Sequence, residues 1–270
     1  MIQKAKVLTL MVFGLLFINL SAQGVDFTND QNAKLPNEDR KFRFGLQFSP
    51  NISWFKINTV GYESNGTKMG YSYGLSFEYF MTKNYLFSTG INFLKTGGVF
   101  SYKGAVDHGT FFLPSEVEVN YSLHYVEIPT ILKLRTNEIG YLTYFGQIGL
   151  KTGFNFKASS TTTHTYFQPQ VNATLTNTLP NVPTSVTNEI NFINMSLVVG
   201  AGVEYSISGN TSLMLGITYS NGFINQLDTK VNALDANGNA LIDRFGSPVY
   251  TAKDASANLN YFALNIGVYF

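Results

Sequence analysis

The sequence predicts an all-β protein: an eight-stranded antiparallel up-and-down transmembrane β-barrel with short periplasmic turns and long extracellular loops. Three observations carry this reading. Residues 258–270 read NLNYFALNIGVYF, placing Phe262, Leu264, Ile266, Val268 and the terminal Phe270 at every second position, the period of a strand with one apolar face. Aromatic residues form 15% of the chain and charged residues 13%, about half the charged share of a soluble domain. Finally, the joints between period-2 segments alternate between tight turns and long stretches, the asymmetry of a bacterial outer-membrane barrel.

Taken in order, residues 1–23 read as a signal peptide. Lys4 and Lys6 form its positive end, residues 7–20 its apolar core, and Ser21-Ala22-Gln23 a small-residue cleavage region. The apolar run is too short for a membrane-spanning helix. Residues 24–40 are expected to be a periplasmic N-terminal tail, and residues 41–270 the barrel domain, located in the outer membrane. The absence of cysteine excludes a lipid-attachment cysteine and a disulfide framework.

Eight strands follow, at about 41–55, 70–81, 85–97, 117–135, 141–157, 189–207, 211–224 and 258–270, each long enough to cross a membrane when tilted. In the first, Phe42, Phe44, Leu46, Phe48, Ile52 and Trp54 share one side, and Arg43, Gly45, Gln47, Ser49, Asn51 and Ser53 the other. Strands two and three are joined by Thr82-Lys83-Asn84, four and five by residues 136–140, six and seven by Ser208-Gly209-Asn210, all with turn chemistry. The remaining joints, residues 56–69, 98–116, 158–188 and 225–257, are long. The third of these, a low-charge Thr/Asn/Pro stretch, is either mobile or an extension of its neighbouring strands. With eight strands both ends of the barrel domain lie on the periplasmic side.

Volume decides which face meets lipid. An eight-stranded barrel has an interior only wide enough for side chains to fill, so the bulky apolar face is expected to point outward, and the face carrying Gly45, Gly74, Gly90, Gly149, Gly200 and Gly202 inward. A lipocalin-like barrel would reverse this. The inward parity also carries Gln47, Asn92 and Gln147, with a candidate lumen polar network of Arg43, Glu78, Glu127, Lys133, Arg135, Lys151 and Glu204. Enclosed charges must pair or stay hydrated, and the expectation is a plugged interior without an open channel.

The fourth strand departs from simple alternation: Val117, Val119, Tyr121, Leu123 and Tyr125 share one parity, and Val126, Ile128, Thr130, Leu132 and Leu134 the other. A β-bulge at Tyr125-Val126 is the expected cause, and Pro129, which cannot donate to the ladder, fits a local irregularity. The segment YVEIPTILK from Tyr125 to Lys133 resembles the Y-[LV]-E-[IL]-P-x-[IL]-x-K strand of the PorT-like outer-membrane β-barrel family. That resemblance implies a small barrel of a Gram-negative envelope; its name-giving member is associated with type IX secretion and gliding. Nothing else here marks a secretion component, and fold analogy does not transfer function.

Catalysis is not expected. The histidines are His108, His124 and His164, with Ser101 or Ser115 as conceivable neighbours in a loop site, but no nucleophile elbow or HExxH motif occurs. Asp235-Ala236-Asn237-Gly238-Asn239 looks like a calcium loop, yet the sixth and twelfth residues from Asp235 are Ala240 and Gly246 where Gly and Glu are needed. Asn237-Gly238 reads better as a type I′ hairpin turn. No metal or cofactor is expected. A net charge of +1 and no basic run argue against nucleic acid. The expected partners are outer-membrane lipid, the outer-membrane assembly machinery through the C-terminal signal Phe262, Leu264, Ile266, Val268 and Phe270, and a secretion or surface protein. The function is then structural, surface-binding or accessory to transport, with a secretion subunit or a narrow passive channel as alternatives.

Overall fold

The computed structural model describes residues 41–107, 112–168, 173–235, 240–243 and 247–270. The segments read as signal peptide and N-terminal tail, His108, and the Asn237-Gly238 turn lie outside them. The strands are β1 (Phe42–Ile57), β2 (Tyr62–Gly66), β3 (Lys68–Phe80), β4 (Tyr85–Asp107), β5 (Phe112–Arg135), β6 (Leu142–Gln168), β7 (Ala173–Ser185), β8 (Ile193–Ser208), β9 (Thr211–Gly222), β10 (Lys230–Asn232), β11 (Tyr250–Asp254) and β12 (Ala257–Tyr269). Eight of them close a ring in the order β1, β3, β4, β5, β6, β8, β9, β12, every pair antiparallel and β12 returning to β1. Closure leaves no open edge in the lipid layer, where an unpaired backbone group would find no water.

The short turns lie at one end. Thr82 Oγ1 accepts from the backbone N–H groups of Asn84 and Tyr85 at 3.4 and 3.2 Å. Ser208 pairs with Thr211 across Gly209-Asn210, and Gly209 takes φ +54°, a conformation that suits glycine in a two-residue hairpin.

The other end corrects the reading of long loops. Residues 98–107 and 112–116 are strand: β4 and β5 run 23 and 24 residues and pair in one register from Tyr85↔Leu134 to Asp107↔Phe112. Residues 158–168 and 173–185 are strand as well, the extension that the sequence offers as one alternative for this stretch, with β6 of 27 residues pairing with β7. At about 3.3 Å per residue β6 runs about 90 Å, far beyond a lipid-facing band about 25 Å tall. The barrel wall therefore continues well outside the membrane, with β2 added to β4 and the β10–β11 ribbon above it.

Along β1 the outward residues from Phe42 to Ile52 are exposed and apolar apart from half-buried Pro50, and Trp54 packs with Phe262 and Tyr219 at 5.7 and 6.3 Å. At the turn end Tyr79, Tyr85, Tyr141, Tyr144, Tyr205 and Phe270 are exposed. Two aromatic girdles bounding an apolar band are the signature of a membrane barrel.

The face inversion in β5 has a different cause from the expected bulge. Its odd-numbered residues point inward without interruption, from Ser115 through Tyr125 to Lys133. What changes is the surroundings: in the membrane the outside is lipid and the inside polar, whereas above it the outside is water and the inside apolar. Val117, Val119, Tyr121, Leu123 and Tyr125 accordingly join Phe55, Leu94, Phe100, Leu259 and Tyr261 in an enclosed cluster. The premise that the bulky apolar residues all turn to lipid holds only for the membrane segment. The bulge itself lies in β6, where Phe156 is the extra residue between His124↔Lys157 and Tyr125↔Asn155. Pro129 acts on the other side: the β4–β5 ladder is open between Thr89↔Thr130 and Asn92↔Glu127, with no change of register.

Candidate functional site

The lumen is filled in layers. Nearest the turns, β1 and β3 place Arg43 directly opposite Glu78, and Lys133 from β5 and Glu204 from β8 project into the same space. Arg43 Nε donates to Glu78 at 2.5 Å, and its two terminal nitrogens donate to the two Glu204 oxygens at 2.9 and 2.6 Å, a bidentate pair. Lys133 donates to Glu78 at 3.1 Å and also to Glu204. Arg135 reaches Glu204 at 3.0 Å from a more accessible position. Aromatic rings complete the cage, with Tyr269 4.4 Å from the Arg43 guanidinium and Phe145 4.1 Å from the Lys133 ammonium.

The next layer is neutral: Gln47 Nε2 and Ser49 Oγ donate to Asn265 Oδ1 at 2.9 Å each, and Asn265 Nδ2 donates to Thr218 at 3.0 Å. Above it the two remaining charged residues are joined through a tyrosine rather than directly. The Tyr261 hydroxyl faces both Glu127 oxygens at 3.1 and 3.2 Å and accepts from Lys151 Nζ at 3.0 Å. The seven charged residues on the inward parity thus form two clusters, five around Glu204 and two around Tyr261. Asn92 is buried, whereas Gln47 and Gln147 are half-buried.

A loop residue outside the strand alternation then enters the barrel. Gln226 is fully buried, accepts from the Tyr125 hydroxyl at 2.7 Å and donates to Asn194 at 3.1 Å. Asn225 holds this loop by accepting from the N–H groups of Leu227 and Ala257 and donating to the carbonyls of Leu227 and Ala255. Leu227, Ile190, Val186 and Ala255 cap the apolar cluster. Sequence alternation could not locate this plug, because a tucked loop has no period; the polar Asn225-Gln226 pair before an apolar Leu227 was its one trace.

Above the plug, a cavity of about 660 Å³ is lined by Tyr62, Phe100, Tyr102, Tyr121 and Tyr250, by valines and small residues, and by His164, Glu189, Lys230 and Asn232. The Tyr62 and Tyr102 rings stack with centroids 4.6 Å apart. Burial raises both phenols above the ordinary value, so they stay neutral. Lys230 is paired at 2.6 Å with Asp254, both half-exposed. Such a pair contributes little, and Lys230→Ala is expected to shift stability by less than about 1 kcal/mol in urea titration. Glu189 ends a 3₁₀ turn; its backbone carbonyl accepts from the Asp228 N–H at 2.7 Å, and its carboxylate accepts, among the described residues, one long 3.5 Å hydrogen bond from Tyr121. Partial desolvation raises its carboxyl, against the opposing effect of that bond.

Of the residues weighed for catalysis, Ser115 Oγ lies 3.3 Å from His164 Nδ1, and loss of solvation lowers the His164 pKa, leaving the ring neutral. No carboxylate hydrogen-bonds this ring among the described residues, and a triad needs one there. Ser101 is buried on β4, and His124 faces outward against Phe156 at 6.0 Å. No group of three metal-ligating side chains occurs among the described residues. Leu234 and Ala240 bridge antiparallel around the segment that resembles a calcium loop.

Among solved structures, the chain is similar to neisserial surface protein A (TM-score 0.39, 13% identity, covering 84% of this chain and 95% of that one). It is also similar to OprG of Pseudomonas aeruginosa (0.38, 9%, 88% and 99%) and to Ail, the attachment invasion locus protein of Yersinia pestis (0.32, 12%, 86% and 100%). No curated protein sequence matches. Residues 22–230 match the family described as outer membrane protein beta-barrel domain. The chain therefore belongs to the outer-membrane β-barrel family, and its place is the outer membrane.

Proposed function

We propose that this is a closed, non-catalytic outer-membrane barrel whose work is done by its projecting outer half, as a surface-binding protein. The observation that carries the proposal is the filling of the lumen: a charged cluster, a neutral hydrogen-bonded layer, the Glu127–Tyr261–Lys151 group and the Gln226 plug follow one another along the axis. A solute path would require several of these layers to separate at once. Reconstituted into planar bilayers, the protein is expected to give no stable unitary conductance. Reproducible open steps would reject the closed reading in favour of a passive channel.

The surface-binding role fits the unusual length of β4 to β6, which build a walled chamber where a barrel with only a membrane role would need short loops. No cofactor is required. The outward row Phe262, Leu264, Ile266 and Val268 on β12, with Phe270 just past its end, is proposed as the signal read by the outer-membrane assembly machinery. The YVEIPTILK segment of β5 favours a second reading, membership of the PorT-like group and service in a type IX secretion apparatus. Cross-linking in intact cells separates the two: stoichiometric capture of large periplasmic secretion components supports the second reading, and their absence the first.

A further inference from the structure

We propose that the outer cavity is a binding site for a small organic cation carrying an alkylated ammonium group, seated against Glu189 and the tyrosine wall. The inference deepens the surface-binding reading and rests on it for the use of this face. Its basis is a mismatch of charge. Among the charged side chains that line the cavity, Lys230 is already neutralised by Asp254 at 2.6 Å, while Glu189 has no ion pair among the described residues and one long bond from the Tyr121 hydroxyl. His164, the imidazole on the lining, is engaged by Ser115, and loss of solvation lowers its pKa. The chamber therefore carries one unpaired carboxylate, itself exposed, beside a wall whose Phe100 and Tyr121 rings are buried and whose Tyr62 and Tyr102 rings are half-buried.

The rest of the wall suits a cation better than a neutral or anionic guest. Tyr62, Phe100, Tyr102, Tyr121 and Tyr250 present aromatic rings, whose electron-rich faces attract a desolvated ammonium. Their stacking is mutual and fixed: Tyr62 on Tyr102 at 4.6 Å, Phe100 on Tyr121 at 5.5 Å, and Phe55 edge-on to Tyr121 at 6.0 Å. A wall preorganised in this way loses little side-chain freedom on binding. An anion would be repelled by Glu189, and a strongly hydrated inorganic cation would gain little from the apolar valines. Alkyl groups on the ammonium would cover Val117, Val119 and Val186, while its charge answers Glu189.

The test is calorimetric titration of the folded full-length barrel in detergent with tetramethylammonium, tert-butanol as neutral analogue, phosphocholine and maltose. Saturable binding of tetramethylammonium, none of tert-butanol, and a loss of about tenfold or more in affinity for Glu189→Gln are expected. Tyr102→Leu should weaken binding as well, with both variants retaining the gel mobility of the folded barrel. Equal binding by E189Q, equal binding of tert-butanol, or binding confined to phosphocholine or maltose would overturn the proposal. A conducting barrel would instead sink the closed-lumen reading and leave this titration unaffected.

Discussion

Glu204→Gln is expected to lower the unfolding free energy by about 3–5 kcal/mol, the cost of breaking a buried ion pair from one side. Glu204 meets Arg43 in bidentate fashion, Lys133, and Arg135, so its loss leaves three cations with Glu78 as their single carboxylate. Arg43, Lys133 and Glu78 are 6%, 1% and 1% exposed, and water cannot take over the missing charge. Urea unfolding followed by the fluorescence of Trp54, the single tryptophan, measures the shift, and the same shift should persist in high salt because buried pairs are poorly screened. A change no larger than that of Lys230→Ala would mean that the cluster is hydrated and the lumen open at this end.

Gly90→Ala is expected to cost about 1–3 kcal/mol or more and to reduce the yield of folded barrel. A methyl group at Gly90 would stand 2.1 Å from the Leu75 carbonyl oxygen and 3.1 Å from Ser76 Cα, all backbone atoms of β3. Gly90 stands directly opposite Ser76 in the β3–β4 ladder, so the methyl would meet backbone that cannot swing aside as a side chain can. Gly146→Ala is the control, since nothing lies within 4 Å of its added methyl, and it should leave stability within about 0.5 kcal/mol. Heat-modifiable gel mobility and urea unfolding report both variants. Equal behaviour of the two would show that β4 can relax away from β3.

The parts of the fold legible in the sequence are those where lipid enforces one rule. From Phe42 to Ile52, and from Phe262 to Phe270, outward residues meet acyl chains and inward ones meet other strands, so period and face coincide. The same rule set Arg43, Glu78, Glu127, Lys133, Arg135, Lys151 and Glu204 on one parity. Their division into two groups was not legible, because it depends on how far each strand is staggered against its neighbour. Above the membrane the rule fails. The inward face of β5 turns apolar at Tyr125 while the backbone alternation continues, and a pattern reader sees a break where the chain has none. The chamber above the plug draws on residues as distant in sequence as Tyr62 and Tyr250, a proximity no local period encodes.

The reversal along β5 also sets immersion depth. Sinking by one residue pair would carry Asn120 and Ser122 toward the acyl chains, and rising would lift Val126 and Ile128 toward the outer headgroups, with a cost in either direction. The molecule therefore rides at a fixed waterline, with its tyrosine-walled chamber held clear of the bilayer and open to whatever the surrounding medium carries.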